Sequence, residues 1–493
     1  MTLFLALLPL IVFVLFLIVF RFSLLISSLI TSLLTLCLSL YVWQILPQYL
    51  LFSVAKGFLI ALDIFFIIFG AIFFLQVLKK KTVLSSLAIH LQSISPDFRI
   101  QIILLAWFFE AFLEATAGFG TNAAIVVPVL ISLGLTPYKA VLLSLLGNSA
   151  PVAFGAIGTP TRIGFSAFSL PDIAIHTSLF NLVGIIIPVF IIFFLLKGRK
   201  TFKKDFLEIL PFALLSGLAF SLPALLSSFL GQEFPSLVGS LIGTLLIYVA
   251  IKNKFLVPKR ILPPPKLSKK QKVLPLSTTL YPYLLLISLL LLGKFVLSPL
   301  SIPLFLNLSF AIFNPGLILF LSALPFVFIW KQRSVYQDSF LPAIKASLGP
   351  LIVIASMSIM VQVMINSSHN FSSLPSFLEL ISQQFFVSSL PFWTPFVAAF
   401  GSFLTGSATL SNLMFSQFLF KASQVTSYPA YLVLALQAAA ASAGNIIALA
   451  DILAAQSVSG IKNKERSFVI DLFLPTLIYV LLLSLLGILF IRR

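Results

Sequence analysis

Apolar runs of about twenty residues recur along the whole chain, at 2–20, 22–46, 57–78, 138–160, 173–196, 207–230, 234–251, 279–297, 312–330, 346–368, 429–458 and 467–490. A helix needs roughly 20 apolar residues to cross the hydrocarbon of a bilayer, so each run predicts a span. Two stretches, 100–135 and 391–424, fit less simply, because Gly, Ser, Thr and Asn interrupt each near its middle. Irregular backbone facing lipid is not tolerated, whereas a re-entrant hairpin buried in protein is. The pattern therefore predicts an all-α polytopic membrane protein with about 12 transmembrane helices plus two re-entrant hairpins. Short alternating strands of the transmembrane-barrel kind are not visible.

The two interrupted stretches open blocks that resemble each other. FFEAFLEATAGFGTNAAIVVPVLISLGLTPYKAVLLSLLGNSAPVAFGAIGTP spans 108–160, and AFGSFLTGSATLSNLMFSQFLFKASQVTSYPAYLVLALQAAAASAGNIIALAD spans 399–451. Each passes from a Phe-Leu pair to a polar tip, an apolar arm, a Pro turn and a span interrupted by small and polar residues. Paired polar breaks in corresponding positions of two halves point to a transport site.

Charge gives these elements a direction. Of the 493 residues only 9% are charged and 60% are hydrophobic, against about 25% charged in a soluble domain. With both interrupted stretches threaded as hairpins, 25 basic residues fall on one face and 6 on the other. Such a bias marks the heavy side as cytoplasmic, with contact to anionic lipid, and leaves both termini outside. The net charge of +18 thus reads as topology, and no soluble basic domain is present to bind nucleic acid. The N-terminal run lacks a basic lead and a cleavage site, so it reads as a retained span. The one cysteine, Cys37, excludes an intrachain disulfide or a CxxC site, and no metal or cofactor motif is evident.

The same threading predicts two inverted repeats, 1–197 and 279–493, each of three spans, a hairpin and two spans. A helix pair at 198–251 and a basic cytoplasmic linker at 252–278, without a core of its own, join them. Repeats of this kind support alternating access around a site near the membrane midplane.

Candidate chemistry concentrates at the breaks. In the first tip Gly118 and Gly120 allow a turn, and Thr121 and Asn122 are placed to cap the returning half-helix, whose free N–H groups attract an anion. The second tip offers Ser407, Thr409, Ser411 and Asn412. Asn148 interrupts the span after the first hairpin and Asn445 the span after the second. The bland reading is that these groups satisfy only their own backbone. Gly155 and Gly158 read as packing positions, as does the GSLIG run at 239–243. Acidic residues inside apolar segments are costly and become functional candidates: Glu110 and Glu114, one turn apart in the first hairpin arm, Asp451 and Asp63. Two carboxyls in an apolar arm suit a proton carrier. Asp63 has a structural alternative in a pair with Lys294, and Asp471 reads as an ion partner of the KNKER loop.

The first block closely resembles the L-lactate permease family of bacterial 2-hydroxy-monocarboxylate transporters. FLEATAGFGTNAAIVVPVLISLGLTPYKA is similar to that family's pattern around FLEGAAGFG, and NSAPVAFGAIGTP to its NTAPVAFGA-x-G-x-P; SISPDFRIQ and FLTGSATLSN fit as well. The resemblance implies proton-coupled uptake of lactate or glycolate across the bacterial inner membrane. It points to Glu114, Gly118, Gly120, Asn148, Pro151, Gly406, Ser407, Thr409, Ser411, Asn412 and Gly444. The second block departs from the pattern, with Ala408 where the family has Asp in GSDTSSN and Asn445 where it has Lys in TGK. Asp451 stands where the family has a small polar residue, as a candidate replacement carboxylate. Sodium coupling is the alternative within transport. A membrane-embedded transferase lacks its catalytic cluster, so the chain does not read as an enzyme, and a non-transporting scaffold is the remaining class.

Overall fold

The computed structural model describes residues 2–20, 22–118, 122–168, 170, 172–265, 273–297, 299–304, 308–329, 333–382 and 389–491. Among them, nine helices are long and apolar enough to cross a membrane, and a pair bent by 46°, Pro137–Gly147 with Ala150–Gly164, makes a tenth. The shorter apolar helices Thr2–Leu17 and Pro315–Pro325 account for the other two runs. The chain is an all-α polytopic membrane protein.

Local chemistry explains where these helices begin and how closely they approach. Pro47, Pro137 and Pro235 open helices, where the missing N–H costs nothing and the fixed φ is already helical. Helix Pro47–Lys80 lies along Arg333–Asn366. At Gly57 a Cβ would meet the Ile359 backbone 2.6 Å away, and at Gly70 it would run into the Gly316 carbonyl. Small residues substitute for a hydrophobic driving force in lipid by permitting such contact. Gly239 and Gly243 do the same against helix Phe202–Ser227. Helix Leu24–Tyr41 buries a polar stripe, in which Thr31 and Thr35 donate to the carbonyls of Ser27 and Thr31.

The interrupted stretches are helix–turn–helix units. The first runs through Phe98–Ile103, a π-helical turn at Leu104–Phe109 and Glu110–Thr116, then returns as Ala123–Ser132. Its tip residues 119–121 lie outside the described part. In the second, Leu390–Thr405 ends at left-handed Gly406 (φ 67°) and Ala408–Thr426 follows.

Four features differ from the sequence reading. An amphipathic helix, Val83–Ser93, buries Val83, Leu84, Leu87, Ala88 and Leu91; its half-polar composition hid it from a search for long apolar runs. The described part of the 252–278 linker is docked rather than free. Leu262 is buried, and its N–H and carbonyl bond Asp97 and the Phe98 N–H. Next to it Arg99 is buried and donates to Asp97, Glu208 and the carbonyls of Asp205 and Arg260. Asp63 does not pair with Lys294: it pairs with Arg162 and accepts from Asn314, while Lys294 binds Glu233 at 3.1 Å. Asp471 faces not the KNKER loop but Tyr138 and Lys197. The Asp63, Lys294 and Asp471 pairings each join residues far apart in the chain, which spacing alone does not reveal.

Candidate transport site

Two helices following the hairpins end on the same dipeptide. Pro137–Gly147 ends with Asn148 at its C-cap, and Ala430–Asn445 has Asn445 as its last residue. The preceding glycine in each case lets the helix touch a hairpin arm. A Cβ at Gly147 would strike the Ala106 carbonyl, and one at Gly444 the Ala399 carbonyl. Both asparagines turn their amides to one acceptor, Asp451 Oδ2, which receives Asn445 Nδ2 at 2.7 Å and Asn148 Nδ2 at 3.5 Å. Ser402 donates to the Asn445 side-chain oxygen Oδ1 at 3.4 Å and orients the amide.

Around this contact lies a cavity of about 30 Å³, room for about one or two waters. Glu114, Asn148, Gly155, Ala156 and Thr159 line it from the first half of the chain; Gly406 to Thr409, Asn445 and Asp451 line it from the second. Among the described residues, Glu114 and Asp451 are its only charged ones, and no lysine or arginine reaches it. Glu114 accepts from Asn122 Nδ2 at 3.2 Å. A Cβ on Gly155 would collide with Glu114 Oε1, and one on Gly118 (φ 46°) would lie 3.0 Å from it. Gly155 is therefore the space in which the Glu114 carboxyl sits, a role beyond helix packing. Gly158 does pack, against the Gln232 carbonyl.

The wall beside Glu114 is irregular backbone. After the 3₁₀ turn Ala150–Phe154, residues Ala156, Ile157 and Gly158 are left-handed (φ 41°, 53° and 75°) before the helix resumes. Two successive non-glycine residues in this region store strain, which persists only where the surroundings over-determine it. Thr159 and Thr161 hold the segment by donating to the Ala156 and Gly158 carbonyls. The glycines and prolines marked a break here, but nothing in the sequence signalled that Ala156 and Ile157 would bear the unusual backbone.

The remaining candidates separate clearly. Asn122 does not cap its helix; its side chain is turned to Glu114 instead. Ser407 does cap, accepting from the Leu410 N–H at 3.3 Å, while also lining the cavity beside Thr409. Ser411 donates to the Ala398 carbonyl and Asn412 to the Pro160 carbonyl, so both tie structure together outside the lining. Pro151 accepts from Ser236. Glu110 is fully buried behind Glu114 and accepts from Ser144 at 3.0 Å. Asp63, held by Arg162 and Asn314, takes no part in the cavity. Gly120 and Thr121 lie outside the described residues.

The L-lactate permease family model matches residues 2–308 and 292–492. The chain belongs to the L-lactate permease family. It is 27% identical over 494 residues to an L-lactate permease of Salmonella typhi, covering 88% of this chain and 85% of that one. Shorter alignments give 35% identity over 197 residues with an L-lactate permease of Streptococcus iniae (39% of this chain, 41% of that one). With an L-lactate permease of Bacillus subtilis the identity is 34% over 220 residues (44% and 38%). Ala408 and Asn445 line the same cavity as Asp451.

Proposed function

We propose that the chain is a secondary active importer of L-lactate and similar short 2-hydroxy-monocarboxylates, such as glycolate, coupled to protons. The observation that carries this reading is the cavity itself, which has two carboxyl groups and no cation among the described residues of its lining. A substrate anion placed beside two ionised carboxylates would be repelled in a medium of low dielectric. Entry of the anion therefore requires that the site take up positive charge, and a proton on Glu114 or Asp451 supplies it. Substrate and proton then occupy the site together, which is symport. Asn148, Asn445, Ser407 and Thr409 are the neutral groups that would orient the carboxylate and hydroxyl.

The site also supports alternating access. It is built from both blocks, and two Gly-Asn helix ends meet at one carboxyl, as expected if 1–197 and 279–493 are inverted repeats around a central site. The basic loops then face the cytoplasm of the bacterial inner membrane and both termini lie outside. A sodium ion is the competing positive charge, favoured by the Asn148 Oδ1, which is buried without a hydrogen-bond partner among the described residues.

Flux into proteoliposomes decides between them. Uptake of labelled L-lactate should accelerate with an inward proton gradient and be indifferent to replacing sodium by choline. Uptake that follows sodium and ignores the proton gradient overturns the coupling; absence of carboxylate flux under either gradient overturns transport.

A further inference from the structure

A second, larger cavity of 310 Å³ is lined by Lys56, Ala167, Phe168, Gln362, Asn366, Gln417 and Phe420, among others. It shares no residue with the central one. Among the described residues, Lys56 makes no ion pair. Its ammonium lies 5.6 Å from the Phe52 ring. Gln362 is 3% exposed, and its Oε1 has no hydrogen-bond partner among the described residues. Phe168 and Phe420 stack with centroids 4.4 Å apart and give the cavity an apolar wall. An unpaired cation, a buried acceptor and an aromatic wall are complementary to one class of ligand, a small anion with a hydroxyl and an apolar end.

We propose that this cavity is a capture site for a short 2-hydroxy-carboxylate on its way to the central site. The Lys56 ammonium donates to the carboxylate, Gln362 Oε1 accepts from the 2-hydroxyl, and the Phe168–Phe420 stack covers the alkyl end. This assignment rests on the transport reading for its purpose, though not for its chemistry. Two chain segments connect the cavities. Thr159 and Pro160 line the central one and Ala167 the second; Thr409 lines the central one and Gln417 the second. Gln417 follows Thr409 by eight residues on helix Ala408–Thr426, which places them about 12 Å apart. Between them the seam is shut: Asn412 donates to the Pro160 carbonyl at 3.0 Å, and at Gly164 a Cβ would strike the Asn412 side chain. Lys56 lies about 34 Å along its helix from the Lys79–Lys80 end, on the face away from that basic cluster. An incoming anion thus meets one cation at the mouth and none at the centre, so capture and release inward are electrostatically separated.

The test begins with the purified protein in detergent, labelled with trinitrobenzenesulfonate and mapped at Lys56 by mass spectrometry. Saturating L-lactate should slow labelling of Lys56 about fivefold relative to chloride at equal ionic strength. In proteoliposomes, Lys56→Gln should raise the half-saturating lactate concentration about fivefold more than it lowers the maximal rate, whereas Lys56→Arg should stay near the wild type. Equal protection by chloride, no protection, or a fall in maximal rate at unchanged half-saturation each overturns the capture site. Protection in a protein that carries no lactate supports the capture site and overturns transport instead. Uptake without protection does the reverse.

Discussion

The two broken spans that meet at the cavity end on the same Gly-Asn pair but are built differently beyond it. The first bends by 46° and passes through a 3₁₀ turn and three left-handed residues. The second resumes after only three residues, between Asn445 and Leu449, and forms a single 30-residue span, Ala430–Ser459, without a bend of more than 40°. Their carboxyls also come from different places. The first half supplies Glu114 from its hairpin arm, whereas the second supplies Asp451 from the first turn of the helix after the break. A helix N-terminus favours a carboxylate there, and two asparagine amides offset part of the cost of its burial. Charge at the site is thus set by geometry that more than one residue position can satisfy. The second half thus presents a carboxyl to the same space from a different element.

If the halves are unequal in this way, the largest effect should come from the arm. Glu114→Gln should cut proton-driven lactate uptake about 100-fold while lactate exchange without a gradient persists. Asp451→Asn should cost about tenfold and leave the remaining uptake proton-dependent. The opposite ranking, measured as initial rates in proteoliposomes, would place the proton on the second half and break the comparison.

An effect smaller than that of Glu114→Gln is expected when charges are placed at Ala408 and Asn445. Asn445→Lys puts an ammonium against Asp451, where a close ion pair should occupy the space used by substrate and lower uptake about thirtyfold. Adding Ala408→Asp gives that lysine a second partner and should recover uptake to within about threefold of the wild type. Losses that simply multiply in the double variant would show that Ala408 and Asn445 are not a coupled replacement.

Much of this was legible in the chain because lipid imposes simple rules. Span length and the distribution of lysine and arginine report the solvent rather than the partner, so the apolar spans and the two helix arms Leu390–Thr405 and Ala408–Thr426 could be located from the sequence. Glu114, Asn148, Asn445 and Asp451 were also visible, since a polar group in an apolar run has few innocent explanations. What stayed hidden depends on contact between distant segments. Asp63 looked as exposed to functional argument as Asp451 until Arg162 and Asn314 were found against it. Ser411 and Asn412 had the composition of a ligand tip, yet they donate to the Ala398 and Pro160 carbonyls and lie outside the cavity lining. The left-handed turn at Ala156–Ile157 carries no residue signal, because a packed site rather than local preference holds it there.

The smallest test separates the two asparagines that share Asp451. Asn445 Nδ2 lies 2.7 Å from the carboxylate oxygen, a full charge-assisted hydrogen bond, whereas Asn148 at 3.5 Å is at the limit of any bond. Removing the first leaves a buried carboxylate short of a strong donor; removing the second subtracts little unless the substrate uses that amide. With Asp451 as the acceptor that both amides share, Asn445→Ala should lower uptake about tenfold and Asn148→Ala about twofold. A larger loss at Asn148 than at Asn445 would mean that the first half holds the substrate while the second only holds Asp451. The unpartnered Asn148 Oδ1 would then be the acceptor for the substrate hydroxyl, and glycolate and acetate uptake compared in Asn148→Ala would show it, since only glycolate has a hydroxyl to lose.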